Sequence, residues 1–145
     1  MHFDLKFGST TLPLDLGDPR ILKVVLPGEK PPLDDPQASV RRVLASPEGT
    51  APLLDMLKAA KPKRLVIVVN DITRPTPYSV FMPPLVETIE KAGIPDSCVT
   101  LLTATGIHDP HTREQDLQVY GEDLCRRFKV DRKSTRLNSS HRIRS

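Results

Sequence analysis

The feature that most constrains the fold of this chain is an uninterrupted apolar run that ends abruptly in a polar loop, and it occurs twice. Residues 64–69 read RLVIVV and run straight into NDITRPTP at 70–77. Some thirty residues later CVTLLT, at 98–103, runs into ATGIHDPH at 104–111. An apolar run of this length without alternation predicts a strand buried on both faces. Between the two runs, Leu85, Ile89 and Ala92 mark the buried side of a helix that Gly93 stops. Beyond the second, residues 112–128 read as helical with Gly121 as an interruption, and residues 128–130 begin another strand. Strand, helix, strand, helix, strand in that order predicts a parallel sheet covered by helices. The fold class is therefore α/β, a Rossmann-like parallel sheet with flanking helices. Ligands of such sheets sit beyond the carboxyl ends of the strands, the place occupied here by the two polar loops.

The chain ahead of residue 64 supplies the remaining elements. Two short alternating runs, residues 3–7 and 10–16, flank Gly8-Ser9, and a Gly-first pair predicts a type II′ β-hairpin. A further apolar run at 21–26 ends at Pro27-Gly28, and EKPPLDDP at 29–36 is a polar linker. Residues 36–45 have helical spacing, with Asp35 as N-cap, Pro36 in the first turn, and Val40, Val43 and Leu44 on one side. A second amphipathic helix is expected over 51–60, with Leu53, Leu54, Leu57 and Ala60 sharing a face. After the first polar loop Thr76 is positioned to cap a helix that starts at Pro77, and Pro83-Pro84 should break or restart it.

Each polar loop carries side chains fit for chemistry. Arg74 offers a planar fork that matches a carboxylate or phosphate, and Asp71 can accept hydrogen bonds from a hydroxyl, an imidazole or an amide. Pro75 and Pro77 stiffen this loop. The same Asp–Arg pair also suits a loop tie with no ligand. In the second loop, Gly106 allows a positive φ or a close backbone approach, and His108 carries the side chain suited to proton transfer near neutrality. A surface histidine in a tight turn is the competing reading. His108 and His111 form an H-x-x-H, but two ligands with a proline between them and no third nearby make a poor metal site, so no metal ligand is assigned. His111 reads as an ordinary position at the start of a helix.

Other classes are disfavoured. No glycine-rich pyrophosphate fingerprint follows the first run, and P-loop and nucleophile-elbow motifs are absent. The longest pure apolar run, 65–69, is far short of a membrane span, and the first residues lack the charge and apolar pattern of a secretory signal. Cys98 and Cys125 have no motif spacing and read as reduced thiols of a cytoplasmic protein. The formal charge of +3 is misleading. Five Lys and Arg residues and one acid fall within 131–145, which leaves 16 bases and 17 acids in residues 1–130. Within that basic stretch, DRKSTRLNSSH at 131–141 resembles a translated sequencing-adapter oligonucleotide. Residues 131–145 are therefore expected to be a disordered non-native tail, set apart from the fold, rather than a basic arm for nucleic acid.

Two motifs carry a resemblance. Asp71-Ile72-Thr73-Arg74-Pro75 fits the Asp-x-Thr-Arg-Pro motif of the lactate racemase family, and Thr105-Gly106-Ile107-His108-Asp109-Pro110 fits its Thr-Gly-Thr-His-Arg-Pro in four of six places. In order and context, residues 1–130 resemble the N-terminal α/β domain of these nickel-pincer-nucleotide enzymes, which racemise or epimerise 2-hydroxy acids. The resemblance implies that Asp71, Ile72, Thr73 and Arg74 contact the cofactor, a nickel pyridinium-bisthiocarboxylate mononucleotide bound only in the full-length protein. It further implies that Arg74 steers the substrate carboxylate and that His108 is one of two catalytic acid–base histidines. The second histidine, a cofactor-anchoring lysine and the nickel-ligating histidine would belong to a missing C-terminal domain. The expected partners are that domain and a small-molecule 2-hydroxy acid, with no nucleic acid and no membrane. By itself this chain is expected to be inactive. Asp109 and Ile107 depart from the motif and leave the identity of the 2-hydroxy acid open. A non-catalytic module that binds a nucleotide or an organic acid is the alternative.

Overall fold

The computed structural model describes residues 1–17, 23 and 25–131. The chain divides into two compact units, residues 1–32 and 33–145. In the first, β1 (His2–Phe7) pairs antiparallel with β2 (Thr10–Asp15), Phe3 opposite Leu14 and Leu5 opposite Leu12. Gly8 takes φ 59° while Ser9 stays out of the positive-φ region, as a Gly-first type II′ turn requires. Most of the apolar run at 21–26 lies outside the described residues.

The second unit holds a three-stranded parallel sheet in the order β3 (Leu65–Asn70), β4 (Val99–Ala104), β5 (Lys129–Asp131). Helices α1 (Pro36–Ala45) and α2 (Leu53–Ala60) precede it. Helix α3 (Tyr78–Lys91) connects β3 to β4, and α4 (Arg113–Tyr120) and α5 (Glu122–Arg127) connect β4 to β5. The register pairs Asn70 with Ala104, so the two polar loops leave adjacent strands at the same level. Asp131, grouped by composition with the basic tail, pairs with Leu102 and closes β5. The rest of that stretch lies outside the described residues.

Local chemistry sets the element ends. Asp35 caps α1, its carboxylate accepting the Ala38 N–H at 2.8 Å. Thr112 and Gln115 form a reciprocal capping box at the start of α4. At the end of α3, Gly93 (φ 76°) allows a Schellman closure, with Ile94 N–H reaching the Ile89 carbonyl and Gly93 N–H reaching that of Glu90. Helix α2 starts two residues later than its pattern suggests, because Pro52 occupies the N-cap position.

Three expectations are corrected. Helix α3 runs unbroken through Pro83-Pro84 and starts at Tyr78, with Pro77 rather than Thr76 at the cap position. Pro83 cannot bond the Ser79 carbonyl four residues back, but the Gln37 amide of α1 donates to that oxygen at 3.2 Å, and the neighbouring Met82 is buried in the core. Second, β3 is not buried on both faces. Val69 is buried, while Val66 and Val68 are 52% and 66% exposed, because the described helices cover only one side of this strand. Third, Val43 faces outward, about 100° around α1 from its half-buried neighbour Leu44. The core is formed by Val99 and Leu101 of β4 against Met82, Val86 and Ile89 of α3, with Tyr120 and Phe128 completing it.

Candidate active site

The base of the site is the last residue of β3. The chain's two tyrosines both close on the Asn70 backbone. The Tyr78 hydroxyl accepts the Asn70 N–H at 2.5 Å and lies 3.2 Å from its carbonyl, to which the Tyr120 hydroxyl donates at 2.9 Å. Thr103 of β4 completes this network, 3.0 Å from the Tyr120 hydroxyl. Burial is the leading cause that raises both phenols, Tyr120 to about 12, so both remain protonated donors. The strand end is thus fixed by part-buried polar bonds backed by the buried Thr103–Tyr120 pair.

Above this base, residues 71–74 form a tight turn with Arg74 N–H on the Asp71 carbonyl at 3.1 Å. Asp71 is buried. Its Oδ1 accepts from the Thr73 hydroxyl at 2.6 Å and the Thr73 N–H at 3.2 Å, an Asx turn. Its Oδ2 lies 2.5 Å from Nδ1 of His108. The second loop delivers that ring through a turn in which His108 N–H reaches the Thr105 carbonyl at 3.0 Å. Gly106 takes φ 60° in that turn, a region that side chains resist. A Cβ at Gly106 would meet nothing within 4 Å, so the glycine serves the backbone angle rather than a close approach.

The Thr73 hydroxyl first, and then His108, hold the Asp71 carboxyl down at about 2. An ionised carboxylate only accepts hydrogen bonds, so Nδ1 of His108 carries the proton. In the neutral ring Nε2 therefore keeps its lone pair. Nε2 has no hydrogen bond among the described residues, and the His108 side chain is half exposed. This is a carboxylate-oriented imidazole with its free nitrogen available to a ligand. The lowered Asp71 carboxyl adds stability that is complete above its unfolded value near 4 and is lost as pH falls through about 2. Urea midpoints measured from pH 6 to pH 2 should show an acid-dependent loss of about 2 kcal/mol. Asp71→Asn should abolish that component.

His108 and Asp71 line a cavity of about 390 Å³ formed by residues 71–73, 107–111 and Gln115. A larger cavity of about 620 Å³ runs along α3 towards α4 and α5, lined by Met82, Val86, Val119 and Leu124 among others. The oriented imidazole of His108 stands at the smaller one.

Arg74 does not line the smaller cavity. Its side chain is exposed, and its guanidinium has no partner among the described residues, so it is free to meet an anion. The Ile72, Thr73 and Arg74 N–H groups are all used inside the protein, on His111, Asp71 Oδ1 and Asp71 O respectively. Of the four loop residues assigned to the cofactor, Ile72, Thr73 and Arg74 have exposed side chains, while Asp71 is buried and, with the Thr73 hydroxyl, also shapes the loop. The buried Thr105 hydroxyl, at the end of the second strand, has no hydrogen-bond partner among the described residues. A free guanidinium and an unmatched hydroxyl fit the anionic and polar groups of a nucleotide. No cluster of three or more metal-ligating side chains occurs among the described residues.

Sequence reasoning undervalued His111. It is buried, not an ordinary position: Nε2 accepts the Ile72 N–H at 2.8 Å, and Nδ1 lies 3.1 Å from the buried Asp116 carboxylate. The two histidines of the H-x-x-H thus diverge onto different partners. No local signal marks this pairing, since Asp116 stands in the first turn of α4, where an exposed acid is ordinary.

The chain is similar in sequence and fold to known proteins. Lactate racemase of Thermoanaerobacterium thermosaccharolyticum is 32% identical over 125 residues, covering 85% of this chain and 29% of that protein. Lactate racemase of Lactiplantibacillus plantarum is 33% identical over 88 residues, 61% of this chain and 20% of that protein. The lactate racemase apoprotein structure from T. thermosaccharolyticum superposes with a TM-score of 0.74 at 29% identity, covering 95% of this chain and 31% of that one. The chain thus spans less than a third of the length of these relatives. The family described as lactate racemase N-terminal domain matches residues 7–142, a span that holds both loops and every strand of the parallel sheet. With the fold, the two motifs and that match in agreement, the chain belongs to the lactate racemase N-terminal domain family.

Proposed function

We propose that this chain forms the N-terminal part of a 2-hydroxy-acid racemase or epimerase, in which His108 moves the proton of the substrate hydroxyl. The observation that carries this reading is the 2.5 Å contact between Asp71 Oδ2 and His108 Nδ1. It fixes the ring orientation and leaves Nε2 as the base. A nickel-pincer nucleotide, when bound, supplies the hydride acceptor and donor for the substrate α-carbon. Arg74 would hold an anionic group of that cofactor or the substrate carboxylate, and Ile72 would pack against it. Asp71 keeps the histidine in one orientation as the proton arrives, and the low basicity of its carboxylate leaves that proton on the imidazole. Asp109 lines the same cavity and adds negative charge beside His108, which disfavours substrates with a second anionic group. The remaining cofactor and substrate contacts come from residues beyond this chain, and on this reading the enzyme works in the cytoplasm. Among the described residues no helix is long and apolar enough to cross a membrane.

Paired variants of the whole enzyme test the assignment. His108→Ala should lower kcat and leave cofactor binding intact, whereas Arg74→Ala should weaken binding of the cofactor or the acid by roughly tenfold or more. A non-catalytic module predicts the same loss of binding for Arg74→Ala, and the His108→Ala variant separates the two readings because there it changes nothing.

A further inference from the structure

The Asp71–His108 contact joins two loops from different strands, and the bond between their side chains is half exposed. A second, part-buried tie joins the same two loops. The residue after Asp71 donates its N–H to the residue three beyond His108, at 2.8 Å. His111 is 5% exposed and Asp116 1%. Because the Ile72 N–H can only donate, Nε2 of His111 must present its lone pair, and the one proton of the neutral ring then sits on Nδ1, facing Asp116 at 3.1 Å. The Tyr120 ring lies 6.0 Å from the His111 ring, and Tyr120 itself holds Asn70, two residues before Ile72. Asn70 and Ile72 are therefore each fastened from the α4 side, and Asp71 lies between two fixed points.

We infer that His111 is a positioning residue: a neutral Nδ1–H imidazole, aligned by Asp116, that pins the Ile72 backbone and so keeps the Asp71 carboxylate within reach of His108. Its importance to turnover rests on the acid–base reading of His108, but its structural content does not. His111 touches neither reacting atoms nor cofactor in this role. It is needed because the Asp71–His108 bond has to hold while the exposed ring meets ligand and solvent, and a tie anchored on the buried His111–Asp116 pair opens less readily than an exposed side-chain one.

The test uses ¹⁵N-labelled chain and imidazole-nitrogen NMR, with amide exchange as second readout. In the wild type His111 should appear as one neutral ring protonated on Nδ1 at neutral pH. A ring protonated on Nε2, or on both nitrogens, overturns the inference without any variant. His111→Gln places an amide oxygen where Nε2 stood and should keep Ile72 amide protection and the His108 Nδ1–H bond near wild-type. His111→Phe keeps a ring beside Tyr120 but offers no acceptor. It should speed Ile72 exchange by about tenfold or more and weaken the His108 signature. Loss of that signature in His111→Gln, or its full retention in a folded His111→Phe, contradicts the positioning role. Both readouts come from the chain itself, so they stand even if His108 proves dispensable for turnover.

Discussion

Replacing His108 with alanine in the whole enzyme is expected to lower kcat for racemisation of a 2-hydroxy acid by about 10²–10⁴-fold, with KM little changed. The size follows from what is removed. A positioned base contributes that range when its free nitrogen is held towards the proton it takes, and the Asp71 bond holds it here. Asp71→Asn should give a smaller loss, because an amide can present its NH₂ group to Nδ1 and favour the wrong tautomer while leaving the ring in place. The order of severity, His108→Ala worse than Asp71→Asn, is measured by following optical rotation or chiral chromatography of a single enantiomer. Equal turnover in wild type and His108→Ala would remove His108 from the chemistry.

The second large effect concerns stability. Leu101 lies in β4, the middle strand, and is completely buried. Leu101→Ala should cost about 2–5 kcal/mol, the lost transfer energy plus that of a cavity that neighbours cannot fill. A domain of this size has a total of about 5–15 kcal/mol, so the variant should be close to unfolding at 37 °C. Val68→Ala, on the open face of β3 at 66% exposure, should change the urea midpoint by the equivalent of no more than about 0.5 kcal/mol in this chain. Comparable losses at the two positions would mean that both faces of the sheet are covered in solution.

Much of this architecture was legible in the sequence because it rests on local signals. The apolar runs marked the strands, Asp35 and Thr112 sat where caps belong, and Gly93 and Gly121 punctuated the helices. What failed was decided by tertiary contacts. The prolines of α3 did not break it, because a distant glutamine took up the freed Ser79 carbonyl. The strand β3 reads as buried on both faces, but burial depends on what packs against a strand and not on its composition. At the site, the two motifs pointed to Asp71 and His108, which the fold brings together. They could not reveal that these two residues bond each other across 37 positions, since no local spacing encodes that pairing. The roles of Tyr78, Tyr120 and His111 were hidden for the same reason: each acts through a backbone group brought near by the sheet register.

The claim beneath all of this is that the buried Asp71 carboxylate fixes the His108 ring with its proton on Nδ1. Imidazole ¹⁵N NMR of the chain reads this directly. The neutral His108 ring should be protonated on Nδ1, with Nε2 unprotonated, and Asp71→Asn should shift the ring towards the other tautomer. A wild-type ring found mainly in the Nε2–H form, or one indifferent to Asp71→Asn, would contradict the account.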